Sequence, residues 1–99
     1  MKVQIQSVHF DADKKLVDFI TKKVNKLQQF YDQIIDSDVV LSFENLNTQV
    51  KDKVVVIKTK IPGTTLVAKE KAKVFEESVD LAVDSIKRQL DKYKQKIKN

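Results

Sequence analysis

The stretch from Val74 to Asn99 constrains the fold of this 99-residue chain more than any other. It reads VFEESVDLAVDSIKRQLDKYKQKIKN, with neither Gly nor Pro to interrupt it. Phe75, Val79, Ala82, Ile86, Leu90, Tyr93 and Ile97 recur at three- and four-residue steps, the spacing that aligns side chains on one face of an α-helix. A helix with one apolar face has to bury it against another layer, so the rest of the chain must supply that layer. Phe75, Val79, Ile86 and Leu90 are therefore expected in the core.

Charge is distributed unevenly along this helix. Glu76, Glu77, Asp80 and Asp84 occupy its first half, and Lys87, Arg88, Lys92, Lys94, Lys96 and Lys98 its second, where Asp91 is the single acid. The polarity suits the helix macrodipole, which favours anions at the N-terminus and cations at the C-terminus. The dipole needs only a few cations in the last turn, however, and here the helix end holds a net charge equal to the +5 of the entire chain. Residues 1–86 balance to zero. An excess gathered at one helix end reads as a footprint for a polyanion, with nucleic acid ahead of a membrane surface.

The preceding residues supply the other layer. Val3 and Ile5 alternate with Lys2, Gln4 and Gln6, predicting a short strand with one buried face. Asp11 is the expected N-cap of a first helix over roughly Ala12 to Tyr31, with Leu16, Phe19, Ile20, Val24, Leu27 and Tyr31 as its apolar stripe. Lys15, Lys22, Lys23 and Lys26 flank that stripe. Asp36-Ser37-Asp38 reads as a turn, and Val39, Leu41 and Phe43 as a second strand. A polar loop over Glu44 to Asp52 leads to a third strand, Lys53 to Ile61, rich in β-branched residues. Pro62-Gly63 is a turn, followed by a fourth strand through Leu66, Ala68 and Ala72 whose Lys69 and Lys71 suit a sheet edge. The order β-α-β-β-β-α predicts an α+β two-layer sandwich: a four-stranded sheet with two helices on one face and the other face open to solvent.

No catalytic constellation is present in the sequence. His9 is the lone histidine and there is no Cys, so a multi-histidine metal site, a thiol nucleophile and a disulfide are all excluded. One Gly cannot build a phosphate-binding loop. Asp80 and Asp84 are spaced for an acid pair, but dipole matching accounts for them. No cofactor, metal or small-molecule substrate is expected, and no enzymatic activity. MKVQIQSVHF lacks the apolar run of a signal peptide, and no window approaches a membrane span, so the expected location is the cytoplasm.

The element order, with Lys23, Lys26-Leu27 and Phe30-Tyr31-Asp32 in the first helix, resembles the ribosome hibernation-promoting factors, also called ribosome-associated inhibitors or sigma-54 modulation proteins. The second helix carries the closest likeness: Val79-Asp80, Val83-Asp84, Ile86, Arg88-Gln89-Leu90, then Lys92, Lys94 and Lys96. Glu76 stands where the family usually has Tyr. Long members continue into a domain that pairs ribosomes, whereas this chain ends at Asn99, so the likeness is to the short form, a single ribosome-binding domain over 1–99.

The resemblance implies a fold like that of a double-stranded RNA-binding domain. It also implies a protein that lodges in the mRNA and tRNA decoding channel of the small ribosomal subunit, inhibiting translation and preserving idle ribosomes in starvation or stationary phase. Such a protein is expected to be monomeric when free. The residues expected to contact ribosomal RNA are Lys22, Lys23 and Lys26 from the first helix and Lys87, Arg88, Lys92, Lys94 and Lys96 from the second. Arg88 offers a planar fork for a bidentate grip on phosphate. The alternative is a generic double-stranded RNA-binding module acting off the ribosome. A membrane-surface role needs a free apolar face, which the core already claims. A protein-interaction module using the open sheet face is a further rival.

Overall fold

In the computed structural model, which describes residues 1–45 and 51–97, β1 (Lys2–Ser7) lies parallel to β2 (Asp36–Asn45). β2 pairs antiparallel with β3 (Lys51–Ile61), and β3 antiparallel with β4 (Thr64–Ala72). The strands therefore stand in sequence order, with β1 and β4 at the edges. The parallel pair requires a crossover, supplied by α1 (Lys14–Asn25) and α2 (Leu27–Phe30). α3 (Phe75–Ile97) closes the chain and packs on the same face. The α+β two-layer architecture is the one expected.

Alternation explains the layering. Val39 and Leu41 of β2, Val55, Ile57, Thr59 and Ile61 of β3 and Ala68 of β4 are buried under the helices. They meet Ile20, Val24 and Leu27 from α1 and α2 and Val79, Ala82, Ile86 and Leu90 from α3. Phe75, Val79, Ile86 and Leu90 all lie in this core. Each such Leu, Ile or Val contributes about 1.5–3 kcal/mol through its burial.

Four boundaries differ from expectation, each for a local reason. Asp13, not Asp11, caps α1: its Oδ1 accepts from the Leu16 amide at 2.8 Å, and its own backbone is extended. The first helix is not continuous to Tyr31. At Lys26 it tightens, with the Gln29 amide donating to the Lys26 carbonyl at 3.1 Å, and α2 adds one further turn. Asp36-Ser37-Asp38 is strand, not turn, because Ser37 faces the core and is satisfied there. Its hydroxyl shares a 3.0 Å hydrogen bond with that of Thr59 and lies 3.3 Å from the Met1 sulfur. The loop predicted over Glu44 to Asp52 is shorter than expected, because the β2–β3 ladder runs on through Glu44–Asp52 and Asn45–Lys51. Its centre, residues 46–50, lies outside the described residues, as do Lys98 and Asn99.

Side-chain hydrogen bonds anchor α3 along its length. The Ser78 hydroxyl donates to the Lys53 carbonyl at 2.7 Å, and the Tyr93 hydroxyl to the Pro62 carbonyl at 2.9 Å. The second bond reaches the turn where Gly63 adopts φ +90°, a conformation that favours glycine. His9 has φ 67° in the bend after β1, in the left-handed region where His is commoner than most residues, and its side chain is exposed.

Candidate nucleic-acid interface

The crossover places α1 and α2 beside α3, and a groove of about 280 Å³ runs between them. Leu27 and Val83 are its buried apolar members; Lys23, Lys26 and Lys87 line it with Asp80 and Asp84. The two apolar stripes are committed to the sheet, so the groove walls are the flanks of the helices, which carry charge.

At 3.6 residues per turn, the flank of α3 that faces α1 presents Asp80, Lys87 and Lys94. Lys87 and Lys94 both reach across to Phe30 at the end of α2: their Nζ atoms lie 5.8 Å and 4.6 Å from the ring centroid. Lys94 also donates to the Phe30 carbonyl at 3.2 Å. Lys23 lies 5.6 Å from the Phe19 ring centroid and 3.1 Å from an Asp80 carboxylate oxygen.

The eight cations singled out in the sequence do not share one site. Lys23, Lys26, Lys87 and Lys94 converge on the groove and the Phe30 ring at its end. Lys22 is exposed beside them on α1. Arg88 points outward, with a loose 3.8 Å ion pair to Asp84. Lys92 and Lys96 fall by helical phase on the opposite flank with Gln89, whose side-chain amide donates to the Val67 carbonyl of β4.

Two features escaped the sequence reading. Asp80 and Asp84 lie beyond the first turn of α3, where the acids are Glu76 and Glu77, so the dipole does not account for them. They are instead paired, Asp80 with Lys23 and Asp84 with Arg88. Only the folded contact between α1 and α3 shows the first pair, although the i, i+4 spacing of Asp84 and Arg88 announces the second.

The other feature is that Lys69 and Lys71, expected only as edge lysines, belong to a longer row on the open sheet face. Lys58 and Lys60 on β3 are followed by Lys69 and Lys71 on β4, opposite Val56 and Val54. Asp36 and Asp38 sit across from Lys60 and Lys58 on β2, which is how a neutral total concealed the row. Lys71 is held by Glu44 at 3.0 Å, and that hydrogen bond, with the attraction of the carboxylate, raises its pKa above the ordinary lysine value.

Among the described residues no cluster of His, Cys, Asp and Glu is arranged to hold a metal ion, and no helix is long and apolar enough to cross a membrane. The groove offers ammonium donors and carboxylate acceptors on a rigid helical frame. That chemistry fits phosphates and hydroxyls.

The sequence matches the family described as Sigma 54 modulation protein / S30EA ribosomal protein over residues 3–98. The chain belongs to this family. Within it, the chain is 30% identical over 98 residues to a ribosome hibernation promoting factor of Klebsiella oxytoca, an alignment covering 99% of this chain and 98% of that protein. It is 27% identical to the ribosome hibernation promoting factor of Pseudomonas putida, covering 97% and 89% of the two. With the ribosome hibernation promotion factor of Bacillus subtilis it shares 26% identity over 98% of this chain but 50% of that protein.

Solved structures give the same picture of this S30EA-family fold. A ribosomal subunit interface protein from Coxiella burnetii superposes with a TM-score of 0.85 at 26% identity, covering 96% of this chain and 99% of that one. The N-terminal domain of Protein Y from Thermus thermophilus superposes at 0.79 with 20% identity, covering 94% and 99%, a likeness of fold.

Proposed function

We propose that this protein is a ribosome hibernation factor that binds the small ribosomal subunit in the mRNA and tRNA channel. There it blocks translation without catalysing a reaction. The carrying observation is the gathering of Lys23, Lys26, Lys87 and Lys94 where α1, α2 and α3 meet, in a chain of the S30EA family.

The physical basis is electrostatic and steric. Ammonium groups that neutralise phosphates release condensed counterions, which supplies affinity without reading sequence. Folded RNA is recognised through shape, phosphates and 2′-hydroxyls, and the groove's mixture of cations and carboxylates suits phosphate and hydroxyl together. The open face of the sheet carries Gln4, Gln6, Asp38, Val40 and Lys58 in a shallow depression that, among the described residues, is lined by no aromatic side chain on which bases could stack. A protein held in this way excludes mRNA and tRNA by occupancy, in cells whose ribosomes are idle in starvation or stationary phase. Lys22 and Arg88 border the groove contact, while Lys92 and Lys96 meet a separate RNA segment on the far flank of α3.

The test is co-sedimentation with purified small subunits, large subunits and a plain RNA duplex, with tRNA and a short mRNA as competitors. Saturable binding to small subunits, displaced by tRNA and mRNA, is the expected result. Equal affinity for the plain duplex contradicts the ribosomal reading and favours a general double-stranded RNA binder.

A further inference from the structure

We propose that Phe30 is a positioning residue for RNA binding: its ring and carbonyl oxygen gather Lys87 and Lys94 into one preassembled doubly charged site. The inference rests on the reading of the groove as an RNA contact. Ile20, Val24, Leu27 and Tyr31 are buried core members, whereas Phe30 packs against that core only at its margin and leaves part of its ring outside. It is half-buried at the end of α2, facing the basic flank of α3.

Two flexible cations seven residues apart on a helix ordinarily sweep solvent independently and repel each other. Here both ammonium groups lie within 6 Å of one ring centroid, close enough for the negative face of the ring to attract a cation. Lys94 is fixed further by its 3.2 Å hydrogen bond to the Phe30 carbonyl, at a helix end where backbone oxygens lack partners. The ring thus offsets the repulsion and removes part of the rotamer entropy that a phosphate would otherwise have to freeze. Ammonium groups keep donors to spare, because Lys94 has three N–H bonds and uses one on the carbonyl. A phosphate arriving at this end of the groove meets two cations already in place.

The experiment is a mutant cycle on small-subunit binding at fixed salt, using Phe30→Leu, Phe30→Trp, the Lys87→Gln/Lys94→Gln pair and the triple variant. Melting temperature is recorded for each. The expected result is binding weakened about three- to ten-fold by Phe30→Leu, restored by Phe30→Trp, and no further loss when Phe30→Leu is added to the Gln pair. Wild-type affinity in Phe30→Leu, with the Gln pair weakened, overturns the role of Phe30 and leaves the groove reading standing. An equal loss from Phe30→Leu with or without the lysines also overturns it, since Phe30 then acts by another route. An unweakened Gln pair removes the groove reading and this inference together. A readout independent of variant folding is the proton spectrum of the wild-type protein. Upfield ring-current shifts of the Lys87 and Lys94 methylene protons next to the ammonium groups support the gathering, and their absence contradicts it.

Discussion

Lys23 and Asp80 join the two helices across the groove, their charged atoms 3.1 Å apart, with Asp80 exposed and Lys23 half-buried. A surface pair of this kind contributes about 0–1 kcal/mol to stability. Its larger consequence is for RNA. Asp80 partly neutralises a cation that would otherwise face phosphate, and it adds a repelling charge inside the groove. Asp80→Asn is therefore expected to tighten small-subunit binding several-fold at low salt while leaving the melting temperature nearly unchanged. The slope of log K against log salt should steepen by about 0.7–0.9, the mark of one more phosphate contact. Weaker binding in this variant would mean that the carboxylate accepts a hydrogen bond from the RNA.

Ser37 and Thr59 are both fully buried and hydrogen-bond to each other beneath the helices. Ser37→Ala leaves the Thr59 hydroxyl without that partner, at a cost of about 1–3 kcal/mol. For a domain of this size, each kcal/mol lowers the melting temperature by about 4–8 °C. The double variant Ser37→Ala/Thr59→Val removes both polar groups and should recover much of the loss. Thermal unfolding of the wild type, single and double variants checks this, and a double variant no better than the single contradicts it.

Leu90 is fully buried on α3 and belongs to the core cluster. Leu90→Ala is expected to destabilise the fold by about 2–5 kcal/mol, through lost burial and the cavity left behind. Binding per folded molecule should be preserved, because Leu90 faces the sheet and not the groove. Urea unfolding and a titration of the folded fraction separate the two effects.

The layers were legible because their cause is local periodicity. The stripe from Phe75 to Leu90 and the β-branched run around Val54 to Ile57 specify a helix and a strand whatever they meet. The expected Asp11 cap and the expected turn at Ser37 fail for the opposite reason. Two acids two residues apart compete for one cap, and Ser37 reads as turn-forming until Thr59 is brought opposite it by the β2–β3 register. The site was half legible. Composition located the cations of α3, but one helix end displays its side chains all round, so only packing separates Lys87 and Lys94 from Lys92 and Lys96. The Asp80–Lys23 contact and the role of Phe30 depend on where α1 lies against α3, which no single segment encodes.

The central claim is that RNA is held by the cations of the helix groove, and the salt dependence of small-subunit binding tests it most directly. The comparison is between the wild type, a groove variant (Lys23→Gln/Lys26→Gln/Lys87→Gln/Lys94→Gln) and a sheet-face variant (Lys58→Gln/Lys60→Gln/Lys69→Gln). The predicted result is a groove variant whose log K against log salt slope is shallower by about three, at about 0.7–0.9 for each of four lost phosphate contacts, with the sheet-face variant close to wild type. A groove variant with the wild-type slope, or a sheet-face variant that loses more, would contradict the account.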